Sequence, residues 1–277
     1  MKLKKAYLEI SNVCNLSCAF CPGTRREKRF MSLEEFEILA GRLRPHVDYL
    51  YFHLLGEPLL HPLLGSFLER AGELGFKVIL TTNGTLLDRR GELLLASEAL
   101  HKINISLQSF EANQGGELER YLDGCACFAE RAAERGKLAE LRLWNGGGQD
   151  ALNGEILARL EKRFPRPWEK SRNGLRLRER VWLERGEKFD WPDLEMGELG
   201  DRVFCYGLRD QIGVLCDGTV VPCCLDHEGD IALGNLFETP LGEIMSTKRA
   251  RDIYEGFSRR QAVEPLCRSC GYARRFT

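Results

Sequence analysis

Three cysteines within eight residues constrain this chain more than any other feature of its sequence. Cys14, Cys18 and Cys21 are spaced Cys-x3-Cys-x2-Cys, and Pro22 follows directly, as in other iron–sulfur loops that end in Cys-Pro. Thiols at this spacing cannot share one face of a helix, but a loop can wrap all three around one metal centre. Structural zinc takes four N or S ligands, and no fourth ligand lies nearby. Three ligands would leave a four-iron cluster with one iron free for a small molecule.

The rest of the composition agrees with metal or redox chemistry. The chain has 277 residues and eleven cysteines, with neither an apolar run of membrane-spanning length nor a signal-peptide h-region. We therefore expect a cytoplasmic protein without a membrane partner, and cysteines that hold metal rather than form disulfides. The net charge of −1 gives no indication of a nucleic-acid partner.

The first two-thirds of the chain alternates strand and helix patterns, which is typical of parallel β–α units in an α/β fold. A capping box, Ser32 to Glu35, predicts the start of the first helix. Five or six units are too few for a closed eight-stranded barrel. Strands are predicted at residues 6–11, 48–55, 76–82, 102–108 and 138–144, with a possible sixth at 175–183.

After residue 195 the sequence becomes richer in glycine and cysteine. Asp217-Gly218 stands between two β-rich arms, a pattern that predicts a hairpin over 214–221. We therefore predict two domains, residues 1–195 and 196–277, the second built around a metal. Its candidate ligands are Cys205, Cys223, Cys267 and Cys270, with Cys216 and Cys224 as alternatives to the first two. A zinc site with four cysteine ligands remains an alternative.

These motifs resemble those of the radical S-adenosylmethionine (SAM) superfamily, whose cluster loop has the spacing Cys-x3-Cys-x2-Cys. Gly56-Glu57-Pro58 resembles the family's Gly-Gly-Glu-Pro motif, with Leu55 in place of the first glycine. The resemblance implies a partial (β/α)6 TIM-type barrel with its active site at the carboxyl ends of the strands. It also implies a [4Fe-4S] cluster on Cys14, Cys18 and Cys21 that binds SAM.

The same resemblance implies a set of SAM contacts at the strand ends. Glu57 would pair with the methionine ammonium, while Thr82, Asn83, Ser106 and Gln108 would line the pocket; Gln108 stands where the family often has Asp. Arg142 either points inward and holds the SAM carboxylate or points outward into solvent. Phe20 packs on the adenine or the cluster, or belongs to the core.

The spacing Cys205-x12-Gly218-x4-Cys223 resembles the start of the SPASM pattern. Because one Cys-x2-Cys pair follows and then the chain ends, the resemblance implies the shortened "twitch" form, a small β-hairpin and helix domain with one auxiliary [4Fe-4S] cluster.

The activity implied is cleavage of SAM to a 5′-deoxyadenosyl radical, which takes a hydrogen from a peptide or small-molecule substrate. An oxidation or a crosslink is expected, with an electron donor such as flavodoxin or ferredoxin, and with substrate contacts from residues 173–192. One alternative is a peptide epimerase in which a thiol returns the hydrogen; Cys216 and Cys127 are the catalytic candidates, with Cys224 a further one. The other is a non-catalytic iron–sulfur or zinc protein.

Overall fold

One continuous twisted sheet organises the computed structural model, which describes residues 2–113, 116–171 and 174–276. In that part of the chain the sheet has eleven strands, in the order β11-β10-β9-β1-β2-β3-β4-β5-β8-β7-β6. The strands are β1 (Lys5–Leu8), β2 (Tyr49–Tyr51), β3 (Lys77–Thr82), β4 (Leu100–Ser106), β5 (Leu138–Gly146), β6 (Glu169–Ser171), β7 (Gly174–Arg178), β8 (Val181–Glu187), β9 (Gln211–Val214), β10 (Thr219–Val221) and β11 (Gly234–Asn235).

Helices cover the outside of the sheet and bury one apolar face each. They are α1 (Leu33–Leu43), α2 (Leu64–Glu73), α3 (Leu87–Ala96), α4 (Leu118–Glu134), α5 (Asn153–Arg163), α6 (Leu241–Met245), α7 (Lys248–Ser258) and α8 (Pro265–Arg268). The predicted capping box is confirmed, since the Ser32 hydroxyl accepts from the Glu35 amide and the Glu35 carboxylate accepts from the Ser32 amide. In the described ranges no helix is both long and apolar enough to cross a membrane.

Six neighbouring parallel strands, β1-β2-β3-β4-β5-β8, form an open barrel wall. The α/β class and the partial barrel predicted from the sequence are thereby confirmed. The sixth strand was misplaced: β8 begins at Val181, whereas the alternation over 175–183 spans two strands. Arg180 has a φ of 61°, so the chain turns there and β7 runs back antiparallel to β8. Both arms alternate, and the pattern alone does not reveal the turn between them.

The carboxyl-terminal region extends the same sheet. The hairpin predicted at Asp217-Gly218 is confirmed, with β9 antiparallel to β10. Gly218 adopts a φ of +83° that favours glycine, and a Cβ there would lie 2.4 Å from the ring of Phe237. β9 also pairs in parallel with β1 across the predicted domain boundary at residue 195, which itself stays a prediction. The cysteine-rich region is thus attached directly to the first barrel strand.

Candidate active site

The three cysteines of the first loop lie against the carboxyl ends of the barrel strands. The loop turns tightly, with the Cys21 amide donating to the Cys18 carbonyl at 3.0 Å. Asn83, at the end of β3, places its amide nitrogen 4.0 Å from the Cys14 sulfur, and Ser109 after β4 hydrogen-bonds the Cys18 thiol. Burial, with smaller contributions from the nearby Cys14 and Cys21 thiols, raises the pKa of Cys18 to about 11, and the hydrogen bond with Ser109 opposes that rise. The three cysteines therefore interact at one site, where a bound cation would favour the thiolate form.

Gly56 brings the loop after β2 into contact with the cysteine loop. Its φ of +78° and its distance from the neighbouring backbone both require glycine, since a Cβ would lie 2.4 Å from the Ser11 carbonyl oxygen. The following amide, that of Glu57, donates to the Val13 carbonyl at 2.8 Å. The Gly56-Glu57-Pro58 motif is in this way fixed directly beside Cys14.

The Glu57 side chain is almost fully buried, with a relative exposure of 1%. Its carboxylate accepts three hydrogen bonds, from the Thr82 hydroxyl at 2.7 Å, the Asn83 amide at 2.7 Å and the Leu59 amide at 2.9 Å. Burial is the larger influence and raises its pKa to about 7. A carboxylate has about four lone-pair sites, so one remains for a cationic group.

Asn83 connects the two motifs through its side chain. Its amide nitrogen donates to Asn15 at 2.9 Å, and its oxygen accepts from the Thr85 amide and hydroxyl. The Tyr121 hydroxyl from α4 donates to the Asn83 carbonyl at 2.7 Å. Asn83 is therefore fixed on every side, and its position next to Cys14 is set by the ends of β3 and α4.

The remaining predicted SAM contacts, Ser106, Gln108, Phe20 and Arg142, lie in three different places. Ser106 ends β4, and Gln108 is buried just beyond it with a side-chain oxygen that has no partner in the described chain. The Phe20 carbonyl, in the cysteine loop, accepts from the indole of Trp191 at 3.0 Å. Arg142 points inward, but it pairs with Glu140 at 2.7 Å and Glu184 at 3.3 Å rather than with residues near Glu57.

Four cysteines of the second group lie close together around one cavity. Cys205, Cys223, Cys267 and Cys270 all line it. Burial raises the pKa of each, that of Cys205 to about 11, and the neighbouring thiols raise the pKa of Cys223 further. The four thiols interact although they lie far apart in sequence. Cys223 follows β10 directly and Cys267 lies in α8, and the fold brings these two elements to the same cavity.

The other candidate thiols occupy different places. Cys216 is 1% exposed and donates to the Glu9 carbonyl at 2.8 Å, outside the cavity lining. Cys127 is exposed on the outer side of α4. Cys224 does line the cavity, where the Tyr7 hydroxyl is hydrogen-bonded to its sulfur. Cys125 is buried in the core, as its position on the apolar face of α4 predicted.

Comparison with known proteins identifies both cysteine groups. Residues 8–136 match the family model described as the radical SAM superfamily, and residues 205–271 match that of an iron–sulfur cluster-binding domain, SPASM. The chain therefore contains a radical SAM domain and a SPASM domain. The two matches contain, respectively, the Cys14–Cys21 loop and all four cysteines of the second group.

Curated relatives match this chain over short segments. The tungsten-containing aldehyde ferredoxin oxidoreductase cofactor-modifying protein of Pyrococcus furiosus is 35% identical over 89 residues, which are 31% of this chain and 25% of that protein. GTP 3′,8-cyclase of Synechocystis is 29% identical over 122 residues, 42% of this chain and 37% of the cyclase. The aligned part is thus well under two-thirds of either relative.

Solved structures superpose on nearly the whole chain. Because their sequence identities to this chain are low, they show that the fold is shared and no more. BtrN in complex with AdoMet and 2-DOIA has a TM-score of 0.64 at 17% identity, covering 98% of this chain and 94% of BtrN. SuiB of Streptococcus suis bound to S-adenosylmethionine has a TM-score of 0.65 at 17% identity, covering 98% and 71%. anSMEcpe with AdoMet and the Cp18Cys peptide has a TM-score of 0.63 at 16% identity, covering 96% and 88%.

The residues present fit the groups that the two domains imply, SAM and [4Fe-4S] clusters. The unpaired Gln108 oxygen and the free lone pair of Glu57 are buried acceptors near the first cysteine loop. The second group offers four half-buried thiols to one cavity. In the described ranges no three His, Cys, Asp or Glu side chains stand at metal-ligating positions, so ligation has to draw the thiols together.

Proposed function

We propose that this radical SAM enzyme carries out a redox modification, an oxidation or a crosslink, of a small molecule or peptide. The observation that carries the proposal is the presence of two cysteine groups on the same barrel. Cys14, Cys18 and Cys21 lie beside Glu57 and Asn83 at the strand ends, whereas the second group lines a cavity inside the barrel. Trp191, which lies between the cavity-lining Phe189 and Pro192, donates to the Phe20 carbonyl of the first cysteine loop and so connects the two regions.

Each group of residues has a separate role in this proposal. Cys14, Cys18 and Cys21 hold a [4Fe-4S] cluster whose fourth iron binds SAM, while Glu57 and Asn83 orient the methionine end of SAM. When bound, these groups supply a 5′-deoxyadenosyl radical that removes a substrate hydrogen. The four thiols Cys205, Cys223, Cys267 and Cys270 hold an auxiliary cluster within electron-transfer reach of the substrate cavity. A flavodoxin or ferredoxin supplies the first electron.

The segment that follows β8, residues 188–192, forms part of the cavity wall and also contacts the first cysteine loop. Phe189 and Pro192 line the cavity, and Trp191 bonds the cysteine loop through Phe20. This agrees with substrate contacts from residues 173–192, of which Asn173 lies outside the described residues. We propose Phe189, with its ring against Tyr272, as part of the substrate wall.

Epimerisation is the second candidate function, and one observation favours it. Of the three thiols considered as hydrogen donors, Cys224 lines the cavity, whereas Cys216 and Cys127 do not. In an epimerase Cys224 would return a hydrogen atom to the substrate radical, and the Tyr7 hydroxyl would orient its sulfur.

The test is the product formed from SAM. Anaerobically prepared protein given dithionite and SAM is expected to release 5′-deoxyadenosine, and the Cys14→Ala/Cys18→Ala/Cys21→Ala variant is expected to release none. Cys127→Ala, an exposed thiol on α4, is the matched control and should leave the rate unchanged. An iron-loaded protein that forms no 5′-deoxyadenosine would identify an iron–sulfur carrier instead.

A further inference from the structure

The barrel interior holds a cavity of ≈ 1080 Å³ that continues to the second cysteine group. Its walls come from the inward side chains of β1, β2, β4, β5 and β8, so it is the natural place for a substrate if the proposed function holds. The charged residues in this lining differ in whether they already have partners. That difference indicates which chemical group the cavity would bind.

Most of the interior charges are paired with one another. Glu140 accepts from Lys102 at 2.5 Å and from Arg142 at 2.7 Å, and Arg142 also reaches Glu184 at 3.3 Å. Two cations therefore share two carboxyl groups. This network fixes the floor of the cavity and leaves no strong site for a further ion.

Lys5 is the exception. Its side chain lies inside the cavity with the ammonium 5.0 Å from the centre of the Tyr7 ring and 4.7 Å from that of Tyr51. It has no ion pair in the described ranges, whereas the exposed Lys4 in the same lining pairs with Asp210 at 2.6 Å. Burial lowers the pKa of Lys5; the nearby Cys224 thiol and Asp210 carboxylate raise it, and the positive charges of Arg142 and Lys102 lower it. Ring contacts offset only part of the cost of burying a charge.

Two buried polar atoms in the same lining have no partner in the described chain. They are the Nδ1 atom of His53 and the indole N–H of Trp144. Burial lowers the pKa of His53 to about 3, so its ring is neutral. An unpaired buried donor costs about 1–3 kcal/mol, and native proteins generally give such groups a partner.

We propose that Lys5 anchors an anionic oxygen group of the substrate inside the barrel. The unpaired Trp144 N–H provides a further donor, and the neutral His53 a further polar contact, in the same cavity. The substrate is then a polar molecule that carries a carboxylate or a phosphate. This inference rests on the proposed function only in calling the bound molecule a substrate.

Simple anions test the site without knowledge of the substrate. Inorganic phosphate and acetate are titrated calorimetrically into the anaerobic, cluster-loaded protein and into Lys5→Met and Lys248→Met variants; Lys248 is an exposed lysine of α7 that does not line this cavity. We expect binding to the unmodified protein, at least a tenfold loss of affinity in Lys5→Met, and unchanged affinity in Lys248→Met. Tighter phosphate binding indicates a phosphate ester as substrate, and tighter acetate binding a carboxylate.

A second measurement uses the unmodified protein and needs no variant. Limited acetylation followed by peptide mass mapping should show phosphate or acetate protecting Lys5 and leaving the exposed Lys248 reactive. Equal affinity in the unmodified and Lys5→Met proteins, or no protection of Lys5, would overturn the proposal. Release of 5′-deoxyadenosine is measured separately, so that failure of the anion site and failure of SAM cleavage are distinguished.

Discussion

At the scale of single residues, the site depends on residues whose burial or backbone conformation costs free energy. Glu57 is buried among three donors, and Gly56 has a backbone conformation and a close contact that exclude a side chain. The Gly-Glu-Pro sequence identified both residues. The unpaired Lys5 was not identified, although one signal was available. Polar residues recur at every second position of otherwise apolar strands, as Lys5 and Tyr7 on β1 and Glu140 and Arg142 on β5 show.

The titration of Glu57 makes the free energy of unfolding depend on pH, and the direction of the pKa shift gives the sign of that dependence. Because its pKa is raised from 4.5 to about 7, the folded protein holds this proton more tightly than the unfolded chain does. Its contribution to stability is present below pH 4.5 and is lost as the pH rises through 7. In the absence of SAM, the free energy of unfolding should therefore fall relative to Glu57→Gln by on the order of 3 kcal/mol between pH 4.5 and 8. Urea unfolding of both proteins measures this, and parallel pH curves would contradict it.

Gly56→Ala should lower the free energy of unfolding by at least about 2 kcal/mol, because the new methyl group meets the Ser11 carbonyl in a left-handed conformation. Gly124→Ala is the matched control. Gly124 lies within α4, and a methyl group added there would have no heavy atom within 4 Å, so this change should stabilise the helix by about 0.5–1 kcal/mol. Urea denaturation compares the two, and equal effects would show that the Gly56 contact is unimportant.

At the scale of elements, local sequence patterns predicted individual helices and hairpins. They did not predict which strands that are distant in sequence pair with each other. The capping box of α1 and the β9–β10 hairpin are local signals, and both were predicted. The parallel pairing of β9 with β1 joins residues about two hundred positions apart, for which no local signal exists. The turn at Arg180, which separates β7 from β8, was missed because both arms alternate in the same way.

A buried ion pair couples the cysteine loop, β1 and the hairpin. Glu9 is fully buried and accepts two hydrogen bonds from Arg26, at 2.7 and 2.8 Å, and a third from the Cys216 amide at 3.1 Å. Arg26 also donates to the His227 carbonyl at 2.8 Å. This contact links the first cysteine loop to the region that carries the second cysteine group.

Arg26→Met should destabilise the protein by about 3–5 kcal/mol, because it leaves the Glu9 carboxylate buried without a counter-ion. Adding Glu9→Gln should recover part of that loss, and the double-mutant cycle gives the coupling. The exposed pair of Lys248 and Asp252 is the control, and Lys248→Ala should change stability by less than about 0.5 kcal/mol. A loss no larger than the control's in Arg26→Met would refute the coupling role.

At the scale of the whole molecule, we assign one cysteine group to each of two clusters. The cysteine spacing predicted the first group, and the structure places it against the strand ends that carry Glu57 and Asn83. For the second group the sequence left two choices open, Cys205 or Cys216 and Cys223 or Cys224. The structure places Cys205 in the cavity with Cys223, Cys267 and Cys270, and Cys216 against Glu9, whereas Cys224 lines the same cavity as Cys223.

The most direct test of this assignment is the electron paramagnetic resonance spectrum of the reduced Cys267→Ala/Cys270→Ala protein, recorded with and without SAM. We expect about four irons per chain in this variant against about eight in the unmodified protein. We also expect SAM to change the spectrum of the remaining cluster and to be cleaved to 5′-deoxyadenosine. A remaining cluster that does not respond to SAM, in a variant that still contains Cys14, Cys18 and Cys21, would contradict the assignment of the first cluster to these three cysteines.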